Sequence, residues 1–183
     1  ALTQFSKGEY ADASQQQDDF VVAQTYGLPI RPLAEDVGDT LGTAAPLTGT
    51  ATATGMQASV DGVIETAPDK DMYSVNVGAG AMTITLSPVT TSPNLDSHIQ
   101  LINASGQVLA DSNPVDALNS SINTTVAAGT YYILVEGVGK GDPLTTGYTD
   151  YGSVGWYRIA ANYVAPDAAA PVATFTVTPS TGT

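Results

Sequence analysis

The stretch Asp69-Lys70-Asp71-Met72-Tyr73-Ser74-Val75-Asn76-Val77-Gly78-Ala79-Gly80-Ala81-Met82-Thr83-Ile84-Thr85-Leu86 decides the fold class. Tyr73, Val75 and Val77 alternate with Ser74 and Asn76, a period of two that gives a strand one apolar and one polar face. Met82, Ile84 and Leu86 repeat the pattern beyond Gly78-Ala79-Gly80, and that spacing predicts a hairpin. Farther out, Ile99 and Leu101 mark one more strand, and Ile122, Thr124 and Val126 another. Tyr131 to Val135 is a dense run suited to a central strand, and Trp156 to Tyr163 supplies a last one. Asn103-Ala104-Ser105-Gly106 and Ala127-Ala128-Gly129 punctuate these as turns. Short strands at intervals of about 8–15 residues, with no helical pattern between them, predict an all-β fold: a jelly-roll-like antiparallel β-sandwich.

Three zones divide the chain. Residues 1–30 mix glutamines and acids around Phe20-Val21-Val22-Ala23. Gln15 to Tyr26 predicts a short N-terminal helix, with Ser14 as N-cap, Asp18 and Asp19 near its positive end, and Gly27 and Pro29 stopping it. So few apolar residues cannot fold alone, so the helix packs on the sandwich or on a neighbour outside this chain. Residues 31–165 hold the predicted strands. Residues 166–183 open on the linker Pro166-Asp167-Ala168-Ala169-Ala170-Pro171, after which Val172 to Val177 alternates like a first strand lacking a partner.

Composition narrows the function. The chain has 183 residues, no cysteine, one histidine (His98) and a formal net charge of −13. At ~100–200 residues per domain, this length allows one medium domain plus tails. The negative field disfavours nucleic acid and anionic membrane surfaces as partners; a monomer is expected. No stretch approaches the ~20 apolar residues of a membrane-spanning helix. The start, Ala1-Leu2-Thr3-Gln4, lacks an initiator methionine, as expected of a piece of a longer protein. Absence of cysteine, few lysines and abundant Thr, Gly, Ala and Asp suit a secreted, extracellular bacterial protein. A metallopeptidase needs two histidines and a glutamate at the H-E-x-x-H spacing, and this sequence has no such pair. We expect no catalytic residue and no enzyme activity in the chain itself.

Several motifs together resemble one family. Asp69-Lys70-Asp71-Met72-Tyr73-Ser74-Val75 is similar to the "D-x-D-x-Y/F-x-V/F" strand of bacterial pre-peptidase C-terminal (PPC) domains. Asn94-Leu95-Asp96 with Leu101 to Ala110 resembles that family's hairpin, and Ala128-Gly129-Thr130-Tyr131-Tyr132-Ile133-Leu134-Val135 its "A-G-T-Y-Y-x-x-V" strand. Gly139 to Pro143 and Gly147 to Ser153 resemble a signature of secreted metallopeptidases. The resemblance spans roughly residues 34–163. At the N-terminus, Phe5 to Ala11 with Gln17 to Phe20 resembles the end of a reprolysin-like zinc metallopeptidase domain, with Phe5 in place of a usual Trp. At the other end, Pro171 to Pro179 resembles the opening of a PKD-type repeat. The resemblance implies an accessory domain between a peptidase domain, its expected partner, and a PKD repeat, serving stability, secretion or substrate targeting.

Three groups of residues are candidates for function. Glu35, Asp36 and Asp39 fall in one short window, and Asp69 and Asp71 sit at the mouth of a strand. Calcium takes six to eight hard oxygens on adaptable loops, a need such carboxylates meet. PPC domains resemble the collagen-binding domains of clostridial collagenases, which hold calcium where their linker meets such a strand. That resemblance implies Glu35, Asp36 and Asp39 as linker ligands, with Asp69 and Asp71 completing the set. The same residues also read as a solvated acidic loop. A second region, Gly137 to Ser153 with Asp142 and Asp150, reads either as a metal site approached by Asp96, Asp111 or Asn113, or as a loop ordered by its own turns and tyrosines. Third, Tyr132, Tyr148, Tyr151, Trp156 and Tyr157 are candidates for a platform binding collagen or another insoluble polymer such as a polysaccharide. Alternation sends one member of each adjacent aromatic pair into the core. His98 receives no role, and the sequons at Asn119 and Asn123 read as strand and turn residues.

Overall fold

In a computed structural model, which describes residues 7, 8, 12, 14, 16–26 and 36–167, ten strands form two stacked layers. The strands are β1 (Ala45–Pro46), β2 (Thr50–Thr52), β3 (Gly55–Ile64), β4 (Lys70–Val77), β5 (Gly80–Pro88), β6 (Ser97–Asn103), β7 (Val108–Ser112), β8 (Ser120–Val126), β9 (Gly129–Gly137) and β10 (Gly155–Tyr163). One sheet runs β1-β4-β9-β6-β7 and the other β2-β3-β10-β5-β8. Every pairing is antiparallel except β1 with β4. The all-β sandwich expected from the alternation is the fold observed.

Alternation sets the core. Along β5, Met82, Ile84 and Leu86 point inward and are wholly buried, while Ala81, Thr85 and Ser87 are exposed. They meet Ile99 and Leu101 of β6, Ile133 and Val135 of β9, and Ile159 and Ala161 of β10. Burying each large apolar side chain contributes about 1.5–3 kcal/mol, so these rows supply most of the stabilisation. The dense 131–135 run lies on β9, in the middle of its sheet, as anticipated. On the outer face of that sheet, Met72, Ile102 and Leu134 form a second, smaller cluster beneath Leu41 and Ala44.

The predicted hairpin between β4 and β5 is not formed: the two strands belong to different sheets. Gly78-Ala79-Gly80 is a corner that carries the chain between layers. Gly78 donates to the Val164 carbonyl at 2.8 Å, and a Cβ at Gly78 would lie 2.2 Å from the Ala165 oxygen. The corner is therefore held by the residues after β10, not by pairing of its own flanks. The N-terminal helix α1 (Asp19–Thr25) is shorter than expected, and Asp18, not Ser14, caps it by accepting from the Val21 N–H at 3.1 Å. Gly27 and Pro29, the linker's end from Ala168 and the PKD-like segment lie outside the described residues.

A polar contact through the core ties β4 to β10. The phenols of Tyr73 (β4) and Tyr157 (β10) lie 2.8 Å apart, and Tyr157 donates to Asp71 Oδ2. Gly62 of β3 makes room for them: a Cβ there would lie 2.4 Å from the Tyr157 hydroxyl and 2.6 Å from that of Tyr73. Gly62→Ala should cost about 1–3 kcal/mol in urea unfolding, because a methyl group is forced into a filled space. Thr85→Ala, exposed on β5, should stay within about 0.5 kcal/mol of the original.

Candidate metal centre

The strand-mouth carboxylates lie where β3 ends and β4 begins. Residues 65–69 fold back as a tight turn: the Asp69 N–H donates to the Thr66 carbonyl at 3.1 Å, and Asp69 Oδ2 accepts from the Glu65 N–H at 2.7 Å. This turn brings Glu65 beside Asp69. Asp71 follows on β4, fully buried and bonded to the Tyr157 phenol. Burial and the charge of Asp71 hold the Tyr157 hydroxyl far above its ordinary range, so it stays a donor.

The carboxyls press on one another. Burial, then a hydrogen bond with Asp69 and the charges of Asp69 and Asp36, push Glu65 up to about 9, so it carries a proton at neutral pH. Asp36 is pushed upward by desolvation and by the charge of Asp69, against the Val63 backbone and the Asp71 carboxyl. Neither Glu65 oxygen, nor Asp69 Oδ1, is reached by a donor from outside this pair, although all three atoms are buried. Buried carboxyl oxygens of this kind cost free energy unless a donor or a cation meets them. Among the described residues, no three His, Asp or Glu side chains are arranged to hold an ion as they stand. A cation would therefore require Asp36, Glu65, Asp69 and Asp71 to turn toward it and Glu65 to lose its proton.

The structure brings three of the anticipated residues together: Asp36, Asp69 and Asp71. Asp39 stays exposed in the turn that leads to Thr40–Thr43, and Glu35 lies outside the described residues. Glu65 was missed by sequence reasoning. Its signal was the acidic pair flanking Thr66-Ala67-Pro68, which gains meaning only once the turn closes.

The aromatic candidates are dispersed. Tyr157 is 2% exposed in the core and offers no surface to a polymer. Tyr132 packs half-buried on the outer cluster of the β4–β9–β6 face, and Trp156 is 52% exposed on the outer face of the other sheet. Tyr148 and Tyr151 belong to the loop after β9. Tyr148 donates to Asp96 Oδ2 at 2.6 Å, and Tyr151 donates to Asp18 Oδ1 at 2.6 Å. Burial and these carboxylates push both phenols up to about 12. Tyr151 also accepts from the Phe20 N–H at 3.2 Å, stacks obliquely on the Phe20 ring and lies under Lys7 Nζ, docking the N-terminal segment on the sandwich. The loop orders itself through reciprocal Lys140 and Tyr148 backbone bonds and an Asx turn from Asp142 to Leu144. Asp142 and Asp150 are exposed, while Asp111 faces His98, whose ring lies 2.9 Å from Glu136.

The raised Glu65 value carries a sign for stability. A carboxyl titrating higher folded than unfolded stabilises below its unfolded range, a contribution lost as pH rises. In chelator, the chain should lose stability from about pH 5 to about pH 9, and Glu65→Gln should flatten that slope and raise the melting temperature at about pH 8. Thermal melts across that range check both.

Residues 69–137 match the family model described as the bacterial pre-peptidase C-terminal domain. The match runs from β4 to β9; β1–β3 and β10 complete the two sheets around it. No curated protein matches the chain. Among solved structures it is similar to the pre-peptidase C-terminal domain of a Bacillus anthracis collagenase, at 16% identity and a TM-score of 0.45 over 65% of this chain and 94% of that one. It is also similar to PliG, a periplasmic inhibitor of g-type lysozyme, from Aeromonas hydrophila, at 14% identity and a TM-score of 0.44, over 65% of this chain and 94% of that one. The Salmonella Typhimurium PliG matches at 14% and 0.40, over 66% and 98%. The likeness to the bacterial pre-peptidase C-terminal domain thus lies in residues 69–137, the segment from β4 to β9.

Proposed function

We propose that the chain is the accessory domain of a secreted bacterial metallopeptidase and takes up calcium at the mouth of β4, locking the segment around Asp36 onto the sandwich. The buried Glu65 and Asp69 oxygens, met by no donor from outside this pair, carry this reading. Asp36, Glu65, Asp69 and Asp71 would hold the ion, with Glu35 retained as a linker ligand by its place beside Asp36 in sequence. Calcium supplies positive charge and adaptable oxygen coordination to carboxyls that otherwise repel. The chain's own residues do the rest: Tyr157 holds Asp71, and the 65–69 turn presents Glu65 and Asp69 together. Such a domain would aid stability, secretion or targeting of the peptidase domain it accompanies, without hydrolysing peptide itself.

A second reading, a module for collagen or polysaccharide, is supported by the outer face of the β2-β3-β10-β5-β8 sheet. Thr85, Ser87, Ser121, Asn123 and Asn162 are exposed there beside Trp156, and its charges include the bidentate Asp61–Arg158 pair at 2.6 and 2.7 Å. In a chain of net charge −13, such a hydroxyl- and amide-lined face suits an uncharged polymer.

Calcium at 100 times its Kd should stabilise the chain by about 2.7 kcal/mol, raising the melting temperature by several degrees over chelator. Asp71→Asn should lose that gain. Superimposable melts with calcium and with chelator would overturn the metal reading. Retention on insoluble collagen or chitin, lost in Trp156→Ala, would favour the polymer reading.

A further inference from the structure

Gly141-Asp142-Pro143 contains the single Asp–Pro step in 183 residues, on the exposed loop after β9. Three donors converge on the Asp142 main-chain oxygen: the Thr145 N–H at 3.0 Å, the Gly147 N–H at 2.8 Å and the Thr145 hydroxyl at 3.2 Å. A neutral carbonyl offers two lone pairs, whereas the oxyanion of a tetrahedral adduct offers three. The arrangement therefore suits the adduct better than the ground state, the condition for transition-state stabilisation. Gly147 permits the approach, since a Cβ there would lie 2.7 Å from the Asp142 nitrogen. The Asp142 side chain is held too. Its Oδ1 accepts from the Leu144 N–H at 2.9 Å, so the carboxyl group folds forward alongside the Asp142–Pro143 peptide bond.

We propose that the Asp142–Pro143 bond is a self-cleavage site, driven by the Asp142 carboxyl with the Thr145 and Gly147 donors as its oxyanion hole. A side-chain oxygen of Asp142 adds to its own carbonyl carbon, closing a five-membered ring. The Asp142 C–Pro143 N bond breaks as that nitrogen takes a proton from solvent, and water then opens the cyclic anhydride. One water is consumed, Asp142 gains a terminal carboxyl group, and Pro143 becomes a secondary amine. The nick leaves the sandwich assembled, because β10 stays paired with β3 along nine residues and with β5 along seven.

The test is intact mass spectrometry of the full chain held at about pH 5, with folding followed by circular dichroism. The folded chain should yield fragments 1–142 and 143–183 at least about ten times faster than the same chain unfolded in urea at that pH, since only the fold assembles the donors. Thr145→Val should keep the fold and slow scission several-fold, and Asp142→Ala should abolish it. A folded chain that stays intact, equal rates folded and unfolded, an unslowed Thr145→Val chain, or scission persisting in Asp142→Ala would each overturn the proposal.

Discussion

The hydrogen bonds joining Tyr73, Tyr157 and Asp71 are the constraint on which the candidate site depends. They place a wholly buried carboxylate between the two sheets. A carboxylate so placed is costly unless donors meet it, and the Tyr157 phenol meets one oxygen. The phenols also join the layers, β4 in one sheet and β10 in the other. Shifting the mouth of β4 would disturb the core, so the rim carboxyls are anchored by packing that extends through the sandwich. A second buried polar link, Ser97 to Ser120 at 2.9 Å, joins β6 and β8 across the same two layers.

Strand identity was legible because alternation is a local property. Met82, Ile84 and Leu86 declare an inward face without reference to any partner. Partner choice was not legible: the same alternation fits a β4–β5 hairpin and a corner between sheets equally well. The corner wins because Gly78 packs against Val164 and Ala165, far along the chain. Strand β3 escaped notice since its inward positions, Ala58, Val60, Gly62 and Ile64, include small residues that blur the apolar contrast. Gly62 is small for the phenols it accommodates, a reason visible only in three dimensions.

The site divides the same way. Asp69 and Asp71 could be read from their place at a strand mouth, and Asp36 from its acidic window. Glu65 could not, since its importance arises when the 65–69 turn sets it against Asp69. Alternation said that one of Trp156 and Tyr157 goes inward, and the register of β10 decides that it is Tyr157. Tyr148 and Tyr151 proved to be struts, each spending its hydroxyl on a carboxylate that anchors a loop or the N-terminal segment.

A crystal structure of the chain grown in calcium tests the central claim most directly. A cation is expected at about 2.3–2.6 Å from oxygens of Asp36, Glu65, Asp69 and Asp71, with the Glu65–Asp69 hydrogen bond opened by loss of the Glu65 proton. A rim without a cation, in which Glu65 stays hydrogen-bonded to Asp69, would contradict it.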